Sequence, residues 1–149
     1  FDLVQIFGKS GQYYYRMVRG LDTRSVQPHR VRKSYGKERT FREDISEREY
    51  ILRFIEGLSA TISEGMRSIP AAGKTITLKL KYDNFETISR SLSLSHYTND
   101  ALEISLISQE LLEVTEFGER PIRLLGISLS NLDINEENKA QQLQLSLDK

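Results

Sequence analysis

Residues 75–82, TITLKLKY, alternate without a break: Ile76, Leu78, Leu80 and Tyr82 fall on one side of an extended chain and Thr75, Thr77, Lys79 and Lys81 on the other. A period of two held over that length excludes a helix and calls for a sheet with one dry face and one wet face. Asp83 and Asn84 supply turn residues, and residues 86–94, ETISRSLSL, return with Thr87, Ser89, Ser91 and Ser93 along one side, which predicts an antiparallel hairpin. A lone hairpin is marginal in water, so the rest of the chain must cover its apolar side.

Two helical patterns are available to do so. Ser46 followed by Glu49 matches a capping box, and Ile51, Ile55, Leu58, Ile62 and Met66 then recur at three- and four-residue spacing. Thr98 or Asn99 can cap a second helix, with Ile104, Ile107, Leu111 and Val114 on one stripe and Gly118 just beyond its end. Two further segments read as strands: 32–41 (RKSYGKERTF), with a polar, basic face, and 121–132 (PIRLLGISLSNL). The order strand, helix, strand, strand, helix, strand predicts a ferredoxin-like α+β sandwich, a four-stranded, mainly antiparallel sheet with two helices on one face and the other face open.

Upstream, residues 10–19 (SGQYYYRMVR) predict a short helix with Ser10 as N-cap, Tyr14, Met17 and Val18 on a packing stripe, and Gly20 as its stop. Residues 20–31 contain turn residues and a proline and read as a linker. The chain opens at Phe1 inside a helical-looking stretch, which suggests a piece of something longer.

The tail is of a different kind. Residues 135–141 (NEENKAQ) are too polar to join a core, yet Gln142, Leu143, Leu145 and Leu147 follow, an apolar bait that would stand in water unless a partner received it. The competing reading is a fraying last strand.

Charge is the other asymmetry. Residues 1–42 carry ten Lys or Arg against three Asp or Glu, whereas the remainder carries eleven against eighteen. The basic end suits an anion. No apolar run approaches the roughly 20 residues a bilayer needs and no signal-peptide pattern is present, so a cytoplasmic location without membrane contact is expected. With no cysteine, and with His29 and His96 far apart, neither disulfides nor a common zinc site is expected. No nucleophile elbow, phosphate-binding glycine loop or carboxylate cluster is present, so no catalytic residue is assigned.

The open sheet face would present Ser34, Thr40, Thr75, Thr77, Lys79, Lys81, Thr87, Ser89 and Ser91, small hydroxyls that can approach phosphate oxygens closely. Arg32, Lys33, Lys37, Arg39 and Arg90 would add longer-range attraction and displace counterions. The plainer account is an ordinary solvated sheet face, where Thr and Lys are common. Base stacking would need aromatic residues in the central strands, and the pattern lacks them. A regulatory or adaptor module of the same fold, binding a small ligand or a protein, is the alternative.

Four stretches, FGKSGQYYYRMVRGLD (7–22), RVRKSYGKERTF (30–41), LKLKYDNFETISRS (78–91) and IRLLGISLSNL (122–132), together resemble the C-terminal part of Y-family translesion DNA polymerases, in the right order over essentially the whole chain. The resemblance implies that residues 1–22 end a thumb domain, 23–31 form a linker, 32–134 form the DNA-gripping little finger and 135–149 a sliding-clamp-binding tail. It implies a sheet laid across the major groove of primer-template duplex, touching backbone without regard to sequence. Lys33, Ser34, Gly36, Lys37, Arg39 and Thr40 match the first contacting strand, and Thr87, Ser89, Arg90 and Ser91 the second. Lys37 departs from the apolar residue many relatives carry there. QLQLSL at 142–147 fits the six-residue clamp motif, and QLSL at 144–147 fits the shorter one without its final aromatic. The palm carboxylates that hold Mg²⁺ for nucleotidyl transfer are absent from this stretch, so the resemblance implies a non-catalytic, monomeric piece of an error-prone polymerase, with no cofactor of its own.

Overall fold

The computed structural model describes residues 3–28 and 32–134, and the chain divides into two compact units, 1–30 and 31–149. The tail residues Gln142, Leu143, Leu145 and Leu147 and the end of the linker therefore lie outside the described residues.

The first unit is a pair of short helices, α1 (Leu3–Phe7) and α2 (Ser10–Met17). Gly11 is buried because a side chain there would collide with the Leu3 carbonyl of α1. Lys9, not Ser10, holds the N-cap position, without a side-chain cap bond. Gly20 ends the second helix in the left-handed region (φ 68°), its N–H donating to the Met17 carbonyl while the Leu21 N–H reaches Arg16, a Schellman closure. Among the described residues the expected packing stripe is not formed, for Tyr14, Met17 and Val18 all stand exposed. Among the described residues Tyr14 meets the edge of the Phe7 ring at 5.4 Å and the tilted Tyr13 ring at 5.8 Å.

The second unit follows the expected element order: β1 (Ser34–Ile45), α3 (Arg48–Ser68), β2 (Gly73–Tyr82), β3 (Thr87–Thr98), α4 (Ala101–Glu113) and β4 (Ile122–Leu132). The strands form one antiparallel sheet in the order β1-β4-β2-β3. Its two halves, β1-α3-β2 and β3-α4-β4, interleave: β4 enters between the strands of the first half and β2 between those of the second. Exchanging the halves reverses the strand order onto itself, so the sheet has an internal pseudo-twofold axis between β4 and β2. The hairpin is thus placed with β2 inside and β3 at an edge.

Alternation decides the layering. Ile76, Leu78, Leu80 and Tyr82 of β2 are buried with Ile122, Leu125, Ile127 and Leu129 of β4 against Ile51, Ile55, Ile62 and Met66 of α3 and Ile104 and Leu112 of α4. α3 lies over β1 and β4, and α4 over β2 and β3. Serines also enter the interior: Ser59 and Ser63 of α3 and Ser105 and Ser108 of α4 are buried, positions that an apolar stripe read from the sequence passes over. Val114, expected on that stripe, caps α4 and is exposed.

The caps also differ from expectation. α3 begins after an extended Glu47 with no side-chain cap bond, so the Ser46–Glu49 box is not made. Asp100 caps α4 by accepting from the Glu103 N–H at 2.9 Å, while Thr98 Oγ1 accepts from the Asp100 N–H. A carboxylate at that site answers both an orphan N–H and the positive end of the helix, which a hydroxyl answers only in part.

Candidate nucleic-acid interface

In an antiparallel sheet, residues directly opposite one another share a face, so the register lays out the uncovered surface row by row. The rows run Ser34–Ser130–Thr75–Ser93, Gly36–Ser128–Thr77–Ser91, Glu38–Gly126–Lys79–Ser89 and Thr40–Leu124–Lys81–Thr87. Apart from two glycines, two lysines, one glutamate and one leucine, every position carries a hydroxyl. The sheet residues Ser34, Thr40, Thr75, Thr77, Lys79, Lys81, Thr87, Ser89 and Ser91 are brought together on this face, those of β2 as their alternation foretold. Ser128, Ser130 and Gly126 belong to it as well. The sequence signal for them was the ISLS alternation at 127–130, obscured by the apolar LLG run before it.

The hydroxyls are partly engaged with one another. Thr75 Oγ1 lies 2.9 Å from Ser93 Oγ and accepts from Asn131 Nδ2 at 2.9 Å. Lys79 Nζ donates to Glu38 Oε2 at 2.9 Å across the β1–β4–β2 rows, an exposed pair of the kind worth under about 1 kcal/mol. Gly36 and Gly126 have a steric reason to be glycine. A Cβ on Gly36 would overlap the Ser128 Cβ, and one on Gly126 would overlap that of Glu38. Side-chain directions therefore converge on this face, as on the inner side of a curved sheet, and a shallow cleft of about 210 Å³ lies over the two glycines beside Lys79.

The long cations distribute differently from the hydroxyls. Lys37 and Arg39 stand opposite Ile127 and Leu125, and Arg90 opposite Leu78, which puts all three on the helix-covered side of the sheet, at its two edges. Arg90 Nη1 turns back to the Ser89 carbonyl at 3.0 Å. Arg32 and Lys33 precede β1 and are exposed, the Arg32 guanidinium 5.0 Å from the centre of the Tyr35 ring. The two motifs that carry the resemblance thus occupy opposite edges of the sheet, β1 and β3, with two central strands between them.

One end of the sheet is held by a cation. Arg120 pairs with Glu86 at 2.8 Å, Glu116 at 3.0 Å and Asp83 at 4.0 Å, and its guanidinium lies 4.3 Å from the centre of the Tyr82 ring. Hydrogen bonding from Arg120 holds the Glu86 carboxyl below its ordinary value, and Glu86 and Glu116 in turn raise the guanidinium. In the first unit, Arg24 holds the Asp22 carboxyl down at about 2 through a paired hydrogen bond. Among the described residues no three His, Cys, Asp or Glu converge as a metal site, and no helix is long and apolar enough to cross a membrane.

Among the described residues of its own unit, the βαββαβ module leaves one sheet face uncovered, lined by hydroxyls and bearing Lys79 and Lys81. Residues 32–146 match the impB/mucB/samB family C-terminal domain, and the chain belongs to that family, the C-terminal domain of Y-family DNA polymerases. Its relatives are bacterial DNA polymerase IV proteins. The chain is 39% identical over 147 residues to DNA polymerase IV of Clostridium perfringens (strain 13 / Type A), covering 99% of this chain and 41% of that protein. It is 40% identical over 144 residues to DNA polymerase IV of Alkalilimnicola ehrlichii, covering 97% and 40%. The chain spans about two fifths of the length of these relatives.

Solved structures share the fold. A Dbh–Dpo4–Dbh Y-family DNA polymerase chimera superposes with a TM-score of 0.64 at 18% identity, over 89% of this chain and 38% of that one. The little finger domain of PolIV, solved in complex with the beta-clamp processivity factor, superposes with a TM-score of 0.56 at 20% identity, over 65% of this chain and 86% of that one.

Proposed function

We propose that this chain is the holding part of an error-prone DNA polymerase IV: its sheet grips the backbone of primer-template duplex and its tail tethers the enzyme to a sliding clamp. The observation that carries the reading is the uncovered face itself. Its rows of Ser and Thr, kept low at Gly36 and Gly126, let phosphates approach hydroxyl donors, while Lys79 and Lys81 supply charge. It has no aromatic platform, so contact is with backbone and not with bases. Arg32, Lys33, Lys37, Arg39 and Arg90 flank the face at its edges and add attraction at longer range.

The clamp contact rests on the leucines at 143, 145 and 147 with Gln142, and is favoured by the clamp-bound little finger among the structural relatives. A tail joined to a DNA-gripping domain makes two weak attachments act together, at effective concentrations in the mM range for short tethers. Nucleotidyl transfer, and the carboxylates that would hold Mg²⁺ for it, belong to parts of the polymerase outside this chain.

Titration of labelled duplexes of unrelated sequence tests the grip. Equal affinities that fall steeply between 50 and 200 mM salt are expected, with a shallower slope for Lys79→Ala and Lys81→Ala together. Salt-independent binding, or stabilisation by a metabolite and not by duplex, would favour the adaptor reading.

A further inference from the structure

The helix-covered side of the β1 edge has a groove separate from the open face, although two of its cations, Lys37 and Arg39, also flank that face. It is about 400 Å³, is lined by Lys37, Arg39, Arg53, Phe54, Gly57 and Leu58 among others, and runs between β1 and α3. Three cations stand at its rim. Arg53 makes only long pairs with Glu47 and Glu49, at 3.8 and 3.6 Å. Lys37 and Arg39 form no ion pair among the described residues, and Glu38 between them points to the other face, toward Lys79. Phe54, stacked edge-on against Phe41 at 4.9 Å, and Leu58 are only partly buried and give the groove an apolar wall.

Gly57 is the second observation. It sits in the middle of the 21-residue α3, where glycine weakens a helix, and a Cβ there would meet nothing within 4 Å. Gly65, two turns on, has a packing reason, because the Tyr35 hydroxyl lies against it. Gly57 has none, and what its missing side chain leaves is the space of the groove. Finally, β1 is an edge strand, its outer side paired with no other strand among the described residues.

We propose that this groove binds an acidic peptide segment of a partner protein, laid along the free edge of β1 as an added strand. Alternate side chains of such a strand face the groove. Its apolar residues meet Phe54 and Leu58 across the gap at Gly57, and its carboxylates meet Lys37, Arg39 and Arg53. Phosphodiester backbone is the poorer occupant, because it has no apolar group for that wall and the hydroxyl-lined face suits it better. The inference does not rest on the DNA-holding reading.

The test uses the whole chain and a fluorescein-labelled octapeptide of six acidic residues around one phenylalanine and one leucine, followed by anisotropy. Wild type should bind it saturably and should not bind the same peptide with lysines in place of the acids. Gly57→Gln should weaken binding at least about tenfold while the melting temperature stays the same or rises and duplex DNA affinity is unchanged. Arg53→Glu should weaken peptide binding likewise. Absence of binding by wild type, equal binding by Gly57→Gln, or a DNA affinity that Gly57→Gln abolishes would each overturn the assignment.

Discussion

At the scale of single residues, buried hydroxyls and one misplaced acid make the sharpest tests. Ser59 Oγ and Ser108 Oγ are buried with no hydrogen-bond partner among the described residues, whereas Ser63 Oγ donates to the Asn99 carbonyl at 2.6 Å. An unanswered buried hydroxyl costs about 1 kcal/mol or more, so Ser108→Ala should hold or raise the denaturation midpoint, while Ser63→Ala, which orphans a carbonyl, should lower stability by about 1 kcal/mol. Urea unfolding of the two variants reads both. Glu38 is the one acid in the four rows laid out above, and it ties up Lys79. Glu38→Gln frees that ammonium and should tighten duplex binding by roughly threefold at low salt, the scale of one exposed pair, measured beside wild type in one titration.

At the scale of elements, the fold was legible wherever side chains alternate against a single covered face. Residues 75–82 and 87–93 declared both their strands and their open side, and the stripes of α3 and α4 were visible through Ile51, Ile55, Ile62, Ile104 and Ile107. Strand order was not legible, because the pairing of β4 between β1 and β2 depends on contacts distant in sequence. The parity of Lys37, Arg39 and Arg90 was missed for a related reason: on an edge strand the core-side positions can end in solvent, so a cation there does not mark the wet face. The close β1–β4 approach has a measurable price in substitution. Gly126→Val should destabilise by about 1–3 kcal/mol as its side chain meets Glu38 Cβ, with loss first seen in exchange of the β1 amides. Arg120 joins the β2–β3 turn to the segment before β4. Because it holds the folded Glu86 carboxyl below its ordinary 4.5, that pair stabilises the fold above this pH and loses the contribution as pH falls through the depressed value. The difference in Tm between wild type and Arg120→Met should therefore shrink from pH 6 to pH 3.

At the scale of the whole molecule, a formal net charge of zero conceals a division of labour between a cation-rich start and an acidic remainder. On the proposed reading the tail is a separable attachment, so Gln142→Ala with Leu147→Ala should abolish binding to a sliding clamp in a pull-down and leave duplex affinity intact. Loss of both together would mean that clamp and DNA share one surface. The interleaved strand order has a further consequence for biogenesis. During vectorial synthesis the first half of the domain leaves the ribosome with a vacancy between β1 and β2 that only the last strand can fill, so the sheet assembles after translation has passed Leu132 and not before. A message truncated ahead of Ile122 can still close the β2–β3 hairpin but leaves β1 without its strand neighbour, an incomplete sheet exposed to the quality-control proteases.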